Sequence, residues 1–141
     1  MSNGVAERSI GAPNVGRSIL ALFAGFVVNV VLSVATDFAF QAAGMLPAIG
    51  HGAMNDSQCA LAAAYRTIYS VLSSYVVARL APNRPMGHAL LGAWIGMMVA
   101  TAGAVATWKK GMGPHWYPLS LIVLALPSAW AGAKIWLARA R

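Results

Sequence analysis

The stretch from Cys59 to Pro85, CALAAAYRTIYSVLSSYVVARLAPNRP, decides the fold that this sequence predicts. Its length and apolar residues predict a membrane-spanning helix, which needs about twenty such residues. It nevertheless carries one cation, Arg66, part-way along. It ends in a short turn between Pro82 and Pro85, and proline does not continue a helix. The stretch therefore predicts a membrane helix that turns sharply into a second, antiparallel one.

Composition supports a membrane protein. Of the 141 residues, 59% are hydrophobic and only 9% are charged, whereas about a quarter of the residues in a soluble domain are charged. The net charge of +7 is spread over the edges of long apolar runs and not gathered on one face. This pattern does not predict nucleic-acid binding. Cys59 is the only cysteine, which excludes an intrachain disulfide and a thiolate metal cluster.

The apolar runs predict an all-α fold, an integral membrane four-helix bundle. Residues 1–17 form a flexible tail, 18–137 the bundle, and 138–141 a second tail. The predicted spans are 18–43, 59–80, 87–108 and 117–137. One alternative is a signal peptide, because Ser33-Val34-Ala35 is a passable cleavage site after an apolar core. The length of the first run favours an uninterrupted helix.

The basic residues predict that both termini lie inside, an N-in/C-in orientation. Seven basic residues fall on the cytoplasmic side in that orientation and two, Lys109 and Lys110, on the outer side. The seven are Arg8, Arg17, Arg79, Arg84, Lys134, Arg139 and Arg141.

Asp37 and Arg66 are opposite charges inside neighbouring predicted spans. At 1.5 Å per residue, Asp37 lies about 9 Å and Arg66 about 10 Å below the outer ends of their helices. Charged groups at such depth usually pair or face water. We therefore expect a salt bridge between them. The alternative is that both side chains extend outward to the headgroups.

Further polar residues continue along the same two helices. They are Arg66, Tyr69, Ser70 and Ser73 in the second span, and Asn29, Ser33, Thr36 and Asp37 in the first. Spacings of three, four and seven place such residues on one stripe of a helix. Two facing stripes predict either an interhelical hydrogen-bond ladder or a narrow wet cavity. The ladder is the commoner use of Ser and Thr in membrane helices.

Small residues form a ridge in the third span. Gly92 and Gly96 make a GxxxG motif that continues through Ala100 and Gly103. Such spacing lets two helix backbones approach closely. The partner is either another helix of this chain, which we take as the expectation, or a second copy.

No pattern predicts a cofactor, a metal site or catalysis. The chain has no phosphate-binding glycine loop and no Ser–His–Asp order. A lipid-modifying enzyme would need His51, Asp56, Cys59 and His115 to gather at the outer surface. We do not expect this, because loop histidines are usually solvated.

Three segments carry a family resemblance: AYRTIYSVLSSYVVARLAP (64–82), RPMGHALLG (84–92) and GPHWYPLSLIVLALPSAWAGAK (113–134). They resemble an uncharacterised family of small bacterial four-span proteins. The resemblance implies a bacterial inner (plasma) membrane location. It implies no activity, cofactor or catalytic residue.

Together these features predict a small non-enzymatic membrane protein, an accessory subunit or a self-associating structural protein. Its expected partners are the lipid bilayer and either a second copy or another membrane protein. The alternative is a small oligomeric transporter or channel that uses Asp37 and Arg66 along a polar pathway.

Overall fold

The computed structural model describes residues 14–141 and contains four α-helices in that part of the chain. They are α1 Val15–Ala42, α2 Asp56–Leu80, α3 Pro85–Thr107 and α4 Trp116–Arg139. No strand occurs among these residues. The all-α prediction and the number of helices are therefore confirmed. Residues 1–13 of the predicted tail lie outside the described part, and 15–17 belong to α1.

Local capping explains why α2 begins three residues earlier than the apolar run predicts. The Asn55 side chain accepts a hydrogen bond from the Gln58 amide at 2.9 Å, and the Gln58 side chain accepts one from the Asn55 amide at 3.1 Å. This reciprocal capping box satisfies amides that a helix otherwise leaves unpaired. The polar residues before Cys59 thus belong to the helix. α3 begins at Pro85, where proline suits the first turn.

α2 is the central helix of the bundle. It packs against α1, α3 and α4, whereas α1 and α4 do not touch within the described residues. The order around the bundle is therefore α1, α2, α4, α3. The contact between α1 and α3 is the thinnest of the interhelical contacts. As a result the bundle is open on the side between these two helices.

Small side chains fill the interior, and large apolar ones face outward. Seven of the buried hydrophobic residues are alanine: Ala21, Ala62, Ala78, Ala89, Ala104, Ala129 and Ala133. Phe23, Met98 and Val123 are more than 60% exposed. A soluble domain buries such residues and rarely exposes large contiguous apolar patches. This inverted distribution is the one expected of helices that pack through small residues in lipid.

Two glycines allow α2 to approach its neighbours closely. A Cβ at Gly25 in α1 would collide with the Val77 side chain, and one at Gly132 in α4 would lie 2.9 Å from the Tyr75 amide nitrogen. Gly132 also faces the carbonyl of Val71. α2 is therefore held between a glycine of α1 and a glycine of α4.

The predicted ridge of α3 does not provide this close packing within the described chain. A Cβ at Gly96 or Gly103 would meet none of its atoms within 4 Å, and one at Gly92 would only reach Leu22 at 3.4 Å. Ala100 is half-buried. Within residues 14–141 the ridge therefore contacts α1 at Gly92 and brings no helix backbone close at Gly96 or Gly103. The helix that packs on this ridge stays a prediction.

Three helices, α1, α3 and α4, are long and apolar enough to cross a membrane. α2 falls short of that criterion. The reason is its polar content, since Arg66, Thr67, Ser70 and Ser73 lower its hydropathy. The prediction of four spans is thus supported for three helices and stays a prediction for α2.

Substituting alanine for the two tightly packed glycines tests this arrangement. We expect Gly25→Ala and Gly132→Ala each to destabilise the fold by about 1–3 kcal/mol, because the added methyl forces α2 away from its neighbour. Gly96→Ala and Gly103→Ala are the matched controls, and they should be neutral or slightly stabilising. Thermal unfolding of the detergent-purified variants, followed by circular dichroism, measures the difference. Equal losses at all four positions would contradict the assignment.

Candidate functional site

Asp37 lies at the centre of a contact between α1 and α2. Its Oδ2 is 2.6 Å from Nη2 of Arg66, and its Oδ1 accepts a hydrogen bond from the Tyr65 hydroxyl. Both carboxylate oxygens therefore have a donor. The Asp37 side chain is 23% exposed and that of Arg66 35%. The predicted salt bridge is present, and it is neither fully buried nor freely solvated.

Tyr65 is a member of this site that the sequence reasoning missed. It is 8% exposed, and its ring packs against Phe40 of α1 with centroids 5.6 Å apart. Its spacing from Tyr69 is i, i+4, which places both rings on one face of α2. That spacing, beside Arg66, was the available signal. Tyr65 both shields and hydrogen-bonds the carboxylate.

Two more hydrogen bonds join α1 to α2, so the predicted ladder exists. The hydroxyls of Thr36 and Tyr69 lie 2.7 Å apart, and Ser73 donates to the Gly25 carbonyl at 2.8 Å. Three predicted members, Asn29, Ser33 and Ser70, form no hydrogen bond between α1 and α2 among the described residues. Ser70 donates to the Arg66 carbonyl of its own helix at 2.9 Å, and Asn29 Oδ1 is enclosed without a partner in residues 14–141.

A groove runs beside the ladder where the bundle is open between α1 and α3. Its volume is about 460 Å³. We call it the α1–α3 groove and define it by a polar floor and apolar walls. The floor residues are Asn29, Ser33, Arg66, Ser70, Ser73 and Ser74. The walls include Phe23 and Phe26 of α1 and Ile95 and Val99 of α3. The described residues therefore contain the hydrogen-bond ladder, and a groove with a polar floor lies beside it.

A second cavity of about 400 Å³ lies at the end of the bundle that carries the loops 43–55 and 108–115. We call it the loop-end cavity. Met54, Cys59, Met112 and His115 are among its lining residues. It shares three lining residues with the α1–α3 groove: Arg66, Ala100 and Leu121. Arg66 thus lies where the two cavities adjoin.

The loop residues considered for an enzyme do not form a reactive group. Asp56 accepts a hydrogen bond from the Trp116 indole at 2.7 Å, and the His115 ring stacks on Trp108 with centroids 4.2 Å apart. Cys59 is 1% exposed. Within residues 14–141, no three His, Cys, Asp or Glu side chains come together as a possible metal site. His51 is not brought to the others by any hydrogen bond in this part of the chain.

At the opposite end of the bundle a hydrogen bond joins α1 to α3. His88 of α3 and Ser18 of α1 are joined by a hydrogen bond of 2.8 Å between Nε2 and Oγ. Sequence reasoning did not single out this contact, because nothing in the local pattern pairs two residues that are 70 positions apart. It ties the thinly packed helices α1 and α3 together at one end only.

Compared with known proteins, the chain matches no family model, no curated protein and no solved structure. The resemblance to a bacterial four-span family stays a prediction.

The ion pair predicts a characteristic pattern of stability. Asp37→Asn and Arg66→Gln should each cost about 2 kcal/mol, between the values for exposed and buried pairs, because each leaves the other charge without its partner. The double variant should regain part of the loss, since no unpaired charge remains. Denaturant unfolding in detergent measures all three.

Thr36→Val is the matched control for this cycle. It removes a neutral hydrogen bond from the same helix pair and should cost about 1 kcal/mol. Strict additivity of the Asp37 and Arg66 effects would show that the two groups stabilise the fold independently, contrary to this interpretation.

Proposed function

We propose that this chain is a four-span membrane protein of the inner (plasma) membrane of a bacterium that acts as a non-enzymatic accessory or structural component. The exposed apolar side chains of α1, α3 and α4 support the membrane location. The family resemblance is the basis for the bacterial inner membrane. The lipid bilayer is its first partner, and a second copy or another membrane protein is the further partner.

The connectivity supports α2 as the fourth span. α1 ends and α2 begins at the loop-bearing end, and residues 81–84 connect α2 to α3 at the other end. If α1 and α3 cross the bilayer, α2 must return the chain between them. At 25 residues it is about 37 Å long, enough for the hydrocarbon core. Its polar side chains then face the interior, where α1 supplies their partners.

The charge distribution supports an N-in/C-in orientation. One end of the bundle holds the N-terminus of α1 and the C-terminus of α4. Four basic residues lie at this end: Arg17, Arg79, Arg84 and Arg139. Lys109 and Lys110 lie in a loop at the other end. Basic residues concentrate on the cytoplasmic side of membrane proteins.

The observation that carries the structural role is the complete pairing of Asp37. A membrane carboxylate that binds and releases a proton or cation must become free during its cycle. Asp37 is instead held by Arg66 and Tyr65 from the neighbouring helix. Such a group stabilises one way of packing α1 against α2, which suits a scaffold on which other membrane proteins assemble.

A second candidate function, a small oligomeric transporter or channel, is favoured by a different observation. The α1–α3 groove and the loop-end cavity adjoin at Arg66 and together extend along much of the bundle. This path could open if Arg66 left Asp37 for another hydrogen-bond partner. Asp37 and Arg66 would then act as the gate of that path.

A flux measurement separates the two candidates. The purified protein is reconstituted into vesicles loaded with a pH-sensitive dye, and proton and potassium gradients are imposed in turn. The structural role predicts leak rates equal to those of protein-free vesicles. Flux above that level that disappears in Asp37→Asn, with the helical content unchanged, would instead establish the transporter. Asn29→Ala provides a control that alters the groove but leaves the ion pair intact.

Reporter fusions test the orientation. We expect alkaline phosphatase fused after Arg141 to be inactive and a fluorescent protein at the same place to be bright, because the C-terminus stays in the cytoplasm. Phosphatase fused after Gly50 should be active. The chain should also remain with the membranes after extraction with alkaline carbonate. An active phosphatase at Arg141 would reverse the proposed topology.

A further inference from the structure

The α1–α3 groove combines features that belong to a ligand site. It is open along one side and has a polar floor between apolar walls. Its volume of about 460 Å³ lies within the range of small-molecule sites, roughly 300–1,000 Å³. We propose that the groove binds a neutral amphiphile of the membrane whose head group accepts hydrogen bonds from Arg66. This inference rests on the proposed membrane location, since the groove opens towards the lipid only in that setting.

Arg66 supplies the hydrogen-bond donors for the head group. A guanidinium has five N–H groups. In residues 14–141 the side chain of Arg66 makes one hydrogen bond, from Nη2 to Asp37. Its side chain is still 35% exposed, and it lines the groove. Donors therefore remain for an oxygen atom that enters from the α1–α3 side.

The charge balance selects a neutral head group. Arg66 and Asp37 already cancel each other at 2.6 Å. A phosphate or carboxylate in the groove would add a negative charge that no described floor residue neutralises, and such a charge is costly to remove from water. An ester, ketone, ether or hydroxyl oxygen can accept the same hydrogen bonds without that cost. The class is therefore a neutral amphiphile with an oxygen-bearing head.

The walls and the volume of the groove favour the hydrocarbon chain of an amphiphile over a protein helix. Phe23, Phe26, Ile95 and Val99 are exposed and line the groove, so an apolar chain would cover them. A helix about 10 Å across with a pitch of 5.4 Å fills a similar volume in roughly one turn. The groove is thus too small to enclose a partner helix over more than about one turn, whereas the apolar chain of one lipid-like molecule is narrow enough to lie along it.

Photocrosslinking tests the proposal with three probes that share one sixteen-carbon diazirine chain. They are a methyl ester, a carboxylic acid and an amine, each added to vesicles that contain the full chain. We expect the ester to give saturable labelling of the segments 23–33 and 92–99, mapped by mass spectrometry, with competition from excess methyl palmitate. The acid and the amine should label these segments less, because each adds a charge beside an already neutral pair.

Two leucine substitutions on α3 provide the matched variants. Gly96→Leu places a side chain in the α1–α3 groove, and we expect it to lower the ester's apparent affinity about tenfold. Gly103 lies seven residues further along α3 on the same face, and it lines only the loop-end cavity. Gly103→Leu should therefore leave the labelling unchanged. Within residues 14–141, a Cβ at either position would meet no atom within 4 Å, so the backbone leaves room for the start of a side chain at both. Thermal unfolding of the two variants checks that both fold.

Several outcomes would overturn the inference. Labelling that does not saturate and is spread over all outward-facing helices would show ordinary contact with bulk lipid. Preferential labelling by the acid would contradict the neutral head group, and equal losses in both leucine variants would remove the groove as the site. Crosslinking between two copies along the groove would show that a second chain occupies it. If alkaline carbonate removed the protein from the membranes, both the groove site and the membrane location would be disproved. The other results would leave the membrane location intact.

Discussion

The contact of Asp37 with Arg66 and Tyr65 is the constraint on which the arrangement of the helices depends. An unpaired charge in a low-dielectric interior costs several kcal/mol. Arg66 of α2 is therefore accommodated where α1 presents Asp37 as its partner. The ion pair, the Thr36–Tyr69 bond and the Ser73–Gly25 bond together fix the rotation and the axial position of α2 against α1.

Close packing then determines the distances between the helices. Gly25 and Gly132 lie on opposite flanks of α2, and each removes the side chain that would otherwise separate two backbones. The interior is consequently lined with alanine, glycine and serine. Large apolar side chains remain on the outer surface, where the proposed bilayer would solvate them. Polar specificity and small-residue packing thus act on the same central helix.

The α1–α3 groove is a consequence of this central position. α1 packs mainly against α2, and α3 packs mainly against α4, so the contact between α1 and α3 is thin. Ser18 and His88 join these two helices by a hydrogen bond at one end. The space left between them exposes the polar face of α2, with Arg66 at the junction with the loop-end cavity. An otherwise structural ion pair therefore also borders an accessible cavity.

Much of this could be predicted from single elements of the sequence. The apolar runs predicted four helices, and the matched depths of Asp37 and Arg66 predicted their contact. The capping box Asn55–Gln58 is also readable in the sequence, and it starts α2 three residues before the apolar run. The role of Tyr65 was missed, although its i, i+4 spacing from Tyr69 was visible.

The packing of α3 could not be predicted in the same way. A GxxxG motif indicates that another helix can approach the backbone closely, but it does not indicate which helix does so. Gly25 and Gly132 are the glycines that pack closely against α2. They belong to different helices, and neither is part of a GxxxG motif.

The sequence by itself determined the helices, their order and the charges that must pair, because hydrophobic run length, capping and the cost of an unpaired charge are local properties. Only the tertiary structure decided which glycines pack, that α1 and α4 stay apart within the described residues, and that a groove remains beside the ion pair. These depend on how four helices share one interior, and that is settled by contacts between residues far apart in the chain.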